Sequence, residues 1–170
     1  MRSITELNAV SDEEFVAALG GIYEHSDWVP RRIASMRPFG TPEDLRLAMA
    51  STVEEATDEE KLALIRAHPD LAGKLARAGA LTDSSRREQA GLGLDRLSDE
   101  EYDAFSSNNT AYREKFGFPF IICARLTTKQ GVLDAFSTRL QNPAETEIAE
   151  AITQIHQIAR LRLEDSVTSE

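Results

Sequence analysis

Apolar residues recur every three to four positions along most of the chain. Near the N-terminus, Phe15, Leu19 and Ile22 follow this spacing. Near the C-terminus, the same spacing gives a longer stripe of small and aliphatic residues: Ile148, Ile152, Ile155, Ala159 and Leu163. Residues three or four apart share one face of an α-helix, so each stripe predicts a helix that buries one side.

Polar capping residues mark where these helices begin. Ser11, Thr57 and Ser98 are each followed three positions later by Glu, which is the capping-box pattern. Thr41 precedes Pro42, a residue that suits the first helical position because its missing N–H has no intrahelical partner there. Spacing and caps together predict about eight helices, beginning near residues 11, 28, 41, 57, 71, 83, 98 and 142. The helix predicted from residue 71 covers residues 71–78 and ends at Gly79.

One short segment does not follow the helical pattern. Residues 118–124 read as extended chain, and one isolated strand cannot form a sheet. We therefore predict an all-α protein, a single-domain helical bundle of about eight helices over residues 1–170. The tail over residues 165–170 is expected to be frayed.

The charge and the cysteine count narrow the class of protein. The chain has 170 residues, a formal net charge of −10 and one cysteine. We expect no nucleic-acid partner and no membrane partner, because both need clustered Lys and Arg. The sequence also lacks a glycine-rich dinucleotide fingerprint, a P-loop and a Cys/His zinc spacing, so we expect no metal and no cofactor. A single cysteine, with no signal peptide and no apolar run of roughly 18–20 residues, predicts a cytoplasmic protein.

His68 directly precedes Pro69 at the predicted end of a helix. A histidine at that position can simply interact with the helix dipole. It can also carry protons, because an imidazole titrates near neutral pH. Pro69 favours the second interpretation, since it fixes the direction of the chain just beyond the ring.

Ser85, Glu88 and Gln89 lie three and four positions apart and therefore share a helix face. The simplest interpretation of this face is a solvated surface. A hydroxyl, a carboxylate and an amide can instead bind a ligand rich in N–H and C=O groups, such as a ureido group.

The extended segment and one late arginine each have two interpretations. Residues 118–124 can be core, but extended chain leaves N–H groups that a bound carbonyl or carboxylate oxygen would satisfy. Cys123 within it is expected to be buried and inert. Arg160, at the edge of the last apolar stripe, either extends into solvent or reaches a carboxylate or carbonyl.

Taken in order, these motifs resemble one family. They are His68-Pro69-Asp70-Leu71, Ser85 followed by Glu88-Gln89-Ala90-Gly91-Leu92, Tyr112 followed by Lys115-Phe116-Gly117-Phe118-Pro119-Phe120-Ile121-Ile122, and Arg160. Leu7-Asn8, Trp28-Val29 and Arg37-Pro38-Phe39 fit the same pattern. From about residue 5 to residue 163 the chain resembles the 2-oxo-4-hydroxy-4-carboxy-5-ureidoimidazoline (OHCU) decarboxylases.

The resemblance implies an all-helical, cofactor-free, homodimeric enzyme that acts on a small ureidoimidazoline. Such enzymes decarboxylate OHCU to (S)-allantoin and CO2, the last step of urate degradation to allantoin. His68 and Glu88 would be catalytic, with His68 as the acid/base. The implied substrate-binding residues are Pro69, Ser85, Arg86, Arg87, Glu88, Gln89, Phe120, Ile121, Ile122, Cys123, Ala124 and Arg160. The lack of a peroxisomal tail favours a bacterial-type cytoplasmic member.

Two other functions stay open from the sequence alone. One is a helical interaction module without catalysis, which would need an exposed apolar groove. The other is a hydrolase of a neighbouring ureide, which would need a positioned water near His68 and Glu88.

Overall fold

The computed structural model describes residues 1–73 and 78–170. Helices over these two ranges confirm the predicted all-α class. The α-helices of the described ranges are α1 (Ile4–Ala9), α2 (Asp12–Leu19), α3 (Trp28–Ile33), α4 (Pro42–Glu54), α5 (Asp58–Ala67), α6 (Asp83–Gly91), α7 (Asp99–Phe116), α8 (Lys129–Arg139) and α9 (Ala144–Ser166). Short 3-10 helices cover Ala34–Met36 and Ala124–Leu126. Of the helix predicted over residues 71–78, residues 74–77 lie outside the described residues, and residues 71–73 and 78 are not helical.

The apolar pattern does not predict α1 or α8. Helix α1 is only 6 residues long, which is too short to show a repeated stripe. Helix α8 buries Val132, Phe136 and Arg139 on one face. Because one of these three residues is charged, the stripe does not read as apolar.

The chain forms two compact units. The first unit contains residues 1–67 and 156–170, and the second contains residues 68–155. Helix α9 supplies residues to each of them. The prediction of one domain over residues 1–170 stays a prediction.

The first unit packs around Phe15 and pairs its two chain ends. The Phe15 ring stacks on Phe39 with centroids 6.2 Å apart, and the guanidinium carbon of Arg37 lies 4.7 Å from the Phe15 centroid. Strand β1 (Arg2–Ser3) pairs in parallel with β2 (Val167–Thr168). The tail therefore differs from the expected fraying over residues 165–168, because the last helix runs to Ser166, Val167 buries its side chain and the backbone of β2 bonds to β1.

The second unit packs aromatic rings between α7, α8 and the extended segment. Residues 119–123 form neither helix nor strand, as the sequence predicts for most of this segment. Phe120 stacks on Phe136 with centroids 3.9 Å apart, and Tyr112 meets Phe120 edge-on at 5.2 Å. Gly117 ends α7 at φ 77°, a left-handed conformation that favours glycine, and so allows the chain to turn into this segment.

Candidate functional site

The turn after α5 carries the candidate acid/base His68. The imidazole is buried, with 7% of the residue exposed. The carboxylate of Asp70, two residues on, accepts hydrogen bonds from Arg113 Nε at 2.9 and 3.2 Å. The carbonyl of Leu71 accepts from Asn109 Nδ2 at 2.8 Å. Two residues of α7 therefore hold the turn that follows His68.

Gln89 joins this turn to α6. Its Oε1 accepts from the N–H of Ala72 at 2.9 Å, and its Nε2 donates to the carbonyl of Asp70 at 3.4 Å. Ala72 adopts φ 51°, a left-handed conformation that is strained for a residue with a Cβ. The hydrogen bond from Gln89 compensates this strain, because the buried N–H of Ala72 has no partner in a helix or a sheet.

Helix α6 begins at a local cap and presents one polar face to the interior. The hydroxyl of Thr82 accepts from the N–H of Ser85 at 3.3 Å. Ser85 and Gln89 are four positions apart, and both are buried. Glu88 lies beside them and is half-buried. The hydroxyl, carboxylate and amide that the sequence placed on one face thus lie at or near the interior.

Arg86 and Arg87, two candidate substrate-binding residues, are exposed. Arg86 Nη2 donates to the carbonyl of Leu81 at 3.2 Å, and Arg87 Nε donates to the carbonyl of Asp83 at 3.3 Å. Both guanidinium groups therefore bond to backbone carbonyls at the start of α6. Their role in binding substrate stays a prediction from the family resemblance.

The extended segment belongs to the same unit and contacts α6 through Ala124–Leu126. Its N–H groups fall into two classes. The N–H of Cys123 donates to Gln154 Oε1 at 2.9 Å. Among the residues that the structure describes, the N–H groups of Phe120, Ile121 and Ile122 have no hydrogen-bond partner. These three are the groups that a bound oxygen could satisfy.

A buried ion pair supports the segment, and sequence reasoning did not identify it. Arg139 Nε donates to Glu147 Oε2 at 2.9 Å, and Arg139 Nη1 donates to the carbonyl of Ile121 at 2.5 Å. Tyr112 donates its hydroxyl to the same Glu147 oxygen at 2.5 Å. Burial, followed by this hydrogen bond, raises the pKa of Tyr112, so its hydroxyl stays a donor. Glu147 could have been found from the sequence, because it precedes Ala151 and Ile155 at four-residue spacing on an otherwise apolar face.

Arg160 lies in the first unit. Its Nη1 donates to Glu164 at 2.7 Å and its Nε donates to Gln157 at 3.3 Å. The predicted contact of Arg160 with substrate stays a prediction.

The described residues contain neither a membrane-spanning helix nor a metal-binding cluster. No helix in residues 1–73 and 78–170 is long and apolar enough to span a membrane. Within the same ranges, no cluster of three or more His, Cys, Asp or Glu side chains has the arrangement of a metal site.

Comparisons with known proteins identify the family. The family model described as OHCU decarboxylase matches residues 8–164. The decarboxylase of Haloferax volcanii that bears the full name 2-oxo-4-hydroxy-4-carboxy-5-ureidoimidazoline decarboxylase is 40% identical over 168 residues, covering 99% of this chain and 98% of its own length. A bifunctional uric acid degradation protein of Bacillus subtilis is 39% identical over 168 residues, covering 99% of this chain but 33% of the relative.

Solved structures agree in fold. The crystal structure of an (S)-allantoin synthase matches with a TM-score of 0.80 and 32% identity, covering 99% of this chain and 54% of that chain. An OHCU decarboxylase crystallised in the presence of (S)-allantoin matches with a TM-score of 0.69 over 92% of this chain and 97% of its own, and at 22% identity it supports the fold alone. Because the family model and near-full-length relatives agree, this chain belongs to the OHCU decarboxylase family of carboxy-lyases.

Proposed function

We propose that this protein decarboxylates OHCU to (S)-allantoin and CO2, the last step of urate degradation to allantoin. Family membership supports the reaction, and relatives at about 40% identity carry its name. In the proposed reaction the bond between the ring carbon and the carboxylate breaks. The electron pair is delocalised over the imine and carbonyl groups of the imidazoline, and a proton then adds to the ring. Because the substrate itself accepts the electrons, the reaction needs no cofactor.

One observation carries the proposal: the amide of Gln89 bonds the turn after His68 to the helix that bears Ser85 and Glu88. The same helix contacts Ala124–Leu126, at the end of the segment with unpaired N–H groups. An acid/base, a polar helix face and backbone donors are thereby gathered in one unit. Such groups suit the binding of a polar heterocycle, proton exchange with it and stabilisation of an oxyanion.

We assign the chemical steps to these groups as follows. His68 first interacts with the hydroxyl or the carboxylate of the substrate. After CO2 has left, it donates a proton to the ring. Glu88 and Ser85 orient the ureido group, whose N–H and C=O groups complement a carboxylate and a hydroxyl. The N–H of Ile122 stabilises the oxyanion that develops as CO2 leaves. One preorganised donor of this kind contributes about 3 kcal/mol to transition-state binding.

Gln89 has a different proposed role from the one that the resemblance implies. Its Oε1 is occupied by the N–H of Ala72, so we assign it chiefly to holding the turn after His68. Its Nε2 keeps a second hydrogen that can still reach the substrate.

The test supplies OHCU by adding a hydrolase to fresh 5-hydroxyisourate and then follows CO2 release and the optical rotation of allantoin. Wild-type protein should accelerate CO2 release and give one enantiomer. His68→Asn should lower kcat by at least about a hundredfold, in line with the loss of a general acid/base. Release of CO2 at the uncatalysed rate with folded wild-type protein would refute the proposed reaction.

A matched control tests whether the imidazole at residue 68 is the one that matters. His25 is exposed and sits at φ 47°, a conformation that asparagine tolerates. His25→Asn should therefore keep wild-type kcat. Equal losses in the two variants would remove the acid/base role from His68.

The homodimer and the cytoplasmic location are proposed on the family resemblance. Light scattering on the eluting protein gives the mass directly, to be compared with the 18.8 kDa of one chain. A mass of one chain at assay concentration would contradict the dimer.

A further inference from the structure

Arg139 and Glu147 form an ion pair in the interior of the second unit. They are 6% and 0% exposed. The carboxylate is fully engaged, since Oε2 accepts from Arg139 and from Tyr112 while Oε1 accepts from Asn142 Nδ2 at 2.8 Å. Breaking a buried pair of this kind is costly, yet apolar residues of similar volume often give equal stability. Stability alone therefore does not account for the pair.

The guanidinium makes one bond that the ion pair does not need. Arg139 Nη1 donates to the carbonyl of Ile121 at 2.5 Å, and the guanidinium carbon lies 4.3 Å from the centroid of Phe120. Arg139 thus contacts the extended segment through a backbone oxygen and through an aromatic face. A planar guanidinium presents separate nitrogens to Glu147 and to the Ile121 carbonyl, whereas a lysine offers all its donors from one nitrogen.

The bond to Ile121 sets the direction of the next N–H. The peptide joining Ile121 to Ile122 is trans, since the one cis peptide of the described residues joins Arg37 to Pro38. In a planar trans peptide the C=O and the N–H point to opposite sides. Arg139 therefore holds the N–H of Ile122 directed away from the ion pair. That N–H has no partner within the described ranges.

We propose that Arg139 is a positioning residue for the decarboxylation. By binding the carbonyl of Ile121 it fixes the peptide plane whose N–H, at Ile122, donates to the oxyanion of the substrate. This proposal rests on the proposed function. Arg139 itself touches no substrate, so its removal should change the rate of the chemical step more than the affinity for substrate.

The first experiment compares Arg139→Lys with Tyr112→Phe. Lysine keeps the charge opposite Glu147 but loses the rigid fork that spans Glu147 and the Ile121 carbonyl, so kcat should fall by about 10- to 100-fold while KM changes by less than about threefold. Tyr112→Phe removes a hydrogen bond to the same carboxylate and leaves the Arg139–Ile121 bond in place. Its kcat should stay within about threefold of wild type, even if both variants lose similar stability. Wild-type kcat in Arg139→Lys, or losses in both variants that follow their melting temperatures, would overturn the positioning role.

The second experiment needs no variant and uses (S)-allantoin as probe. Hydrogen exchange measured residue by residue should show the Ile122 N–H slowed by at least about tenfold at saturating allantoin, while the Cys123 N–H, already bonded to Gln154, changes little. No protection at Ile122 would overturn the proposal even if Arg139→Lys does not fold. Different results would overturn the proposed decarboxylation and the positioning role of Arg139. Folded wild-type protein that releases no CO2 overturns both. Normal wild-type turnover without Ile122 protection overturns the role of Arg139 alone.

Discussion

The turn after His68 should depend on the buried amide of Gln89, and Gln89→Met tests this. Methionine has nearly the volume of glutamine and little hydrogen-bonding capacity. The substitution therefore removes both amide bonds to the turn without opening a large cavity. What remains is Ala72, 2% exposed and at φ 51°, with an N–H that has lost its acceptor.

The expected loss in the free energy of unfolding follows from the two hydrogen bonds of Gln89. Leaving the Ala72 donor buried and unsatisfied costs about 1–3 kcal/mol. The bond to the Asp70 carbonyl is 3.4 Å long and adds about 0.5 kcal/mol at most. The sum is about 1–3.5 kcal/mol, which corresponds to about a 5- to 400-fold change in an equilibrium constant.

The measurement is urea unfolding combined with hydrogen exchange at Ala72. If the turn stays closed, the free energy of unfolding falls by the whole amount. If the turn opens to hydrate Ala72, exchange at this N–H rises by about 5- to 400-fold while global stability falls less. Arg113→Gln is the matched control, because it removes a bond to the same turn from a guanidinium that is 46% exposed. An ion pair this exposed is worth about 0–1 kcal/mol.

The role of Gln89 is refuted if the free energy of unfolding of Gln89→Met lies within about 0.5 kcal/mol of wild type and its Ala72 N–H exchanges at the wild-type rate. It is also refuted if Arg113→Gln loses as much stability as Gln89→Met. Either result would mean that the turn after His68 keeps its left-handed conformation without the buried amide.

Three further changes test packing and backbone conformation in the second unit and an ion pair in the first. Phe136→Ala removes a fully buried ring that stacks on Phe120 and should cost about 3–5 kcal/mol in urea unfolding, so a loss below 1 kcal/mol would contradict this packing. Gly117→Ala meets no atom within 4 Å but must adopt φ 77°, so it should cost about 1–2 kcal/mol; Gly117→Asn should cost less, and equal costs would rule out backbone strain as the cause. The hydrogen bond from Arg32 is the largest cause that lowers the pKa of Glu60 from 4.5 to about 2. Because the folded pKa is lowered, this carboxylate stabilises the fold above pH 4.5, and its contribution is lost as pH falls toward 2. Glu60→Gln should therefore lower the urea midpoint at pH 6 and match wild type near pH 2, and a constant difference across this range would disprove the pairing.

Helix positions could be predicted because capping and periodicity are local. The box at Ser98 is formed in the structure, with its hydroxyl accepting from the N–H of Glu101 at 3.1 Å and the Glu101 carboxylate accepting from the N–H of Ser98 at 2.9 Å. Residues 98–101 contain every atom of this capping box, so the start of the helix can be predicted from the local sequence. The chain end at Val167 was mispredicted for the opposite reason, since its partner is at the other end of the chain.

The sequence singles out the residues proposed for the site, but it does not predict the contacts that hold them. His68 stands out in the sequence because it directly precedes Pro69. Gln89 stands out because it shares a polar helix face with Ser85. That Gln89 bonds to Ala72, 17 positions earlier, depends on a turn that no periodicity describes. Arg139 and Glu147 lie on two different helices, and a helical pattern reports which residues share a face but not which faces meet.

The extended segment is the part of this helical protein that stability alone does not explain. The chain over residues 119–123 leaves the N–H groups of Phe120, Ile121 and Ile122 without a partner within the described residues, and an unpaired N–H costs free energy where it is buried. The fold offsets this cost with a stacked ring on Phe120 and with a guanidinium on the carbonyl of Ile121. Local departures from the most stable backbone are expected where a ligand completes the hydrogen bonding. The unpaired donors and the buried pair that orients them are therefore two aspects of one arrangement: Arg139 stabilises the single conformation in which the Ile122 N–H is left for the substrate.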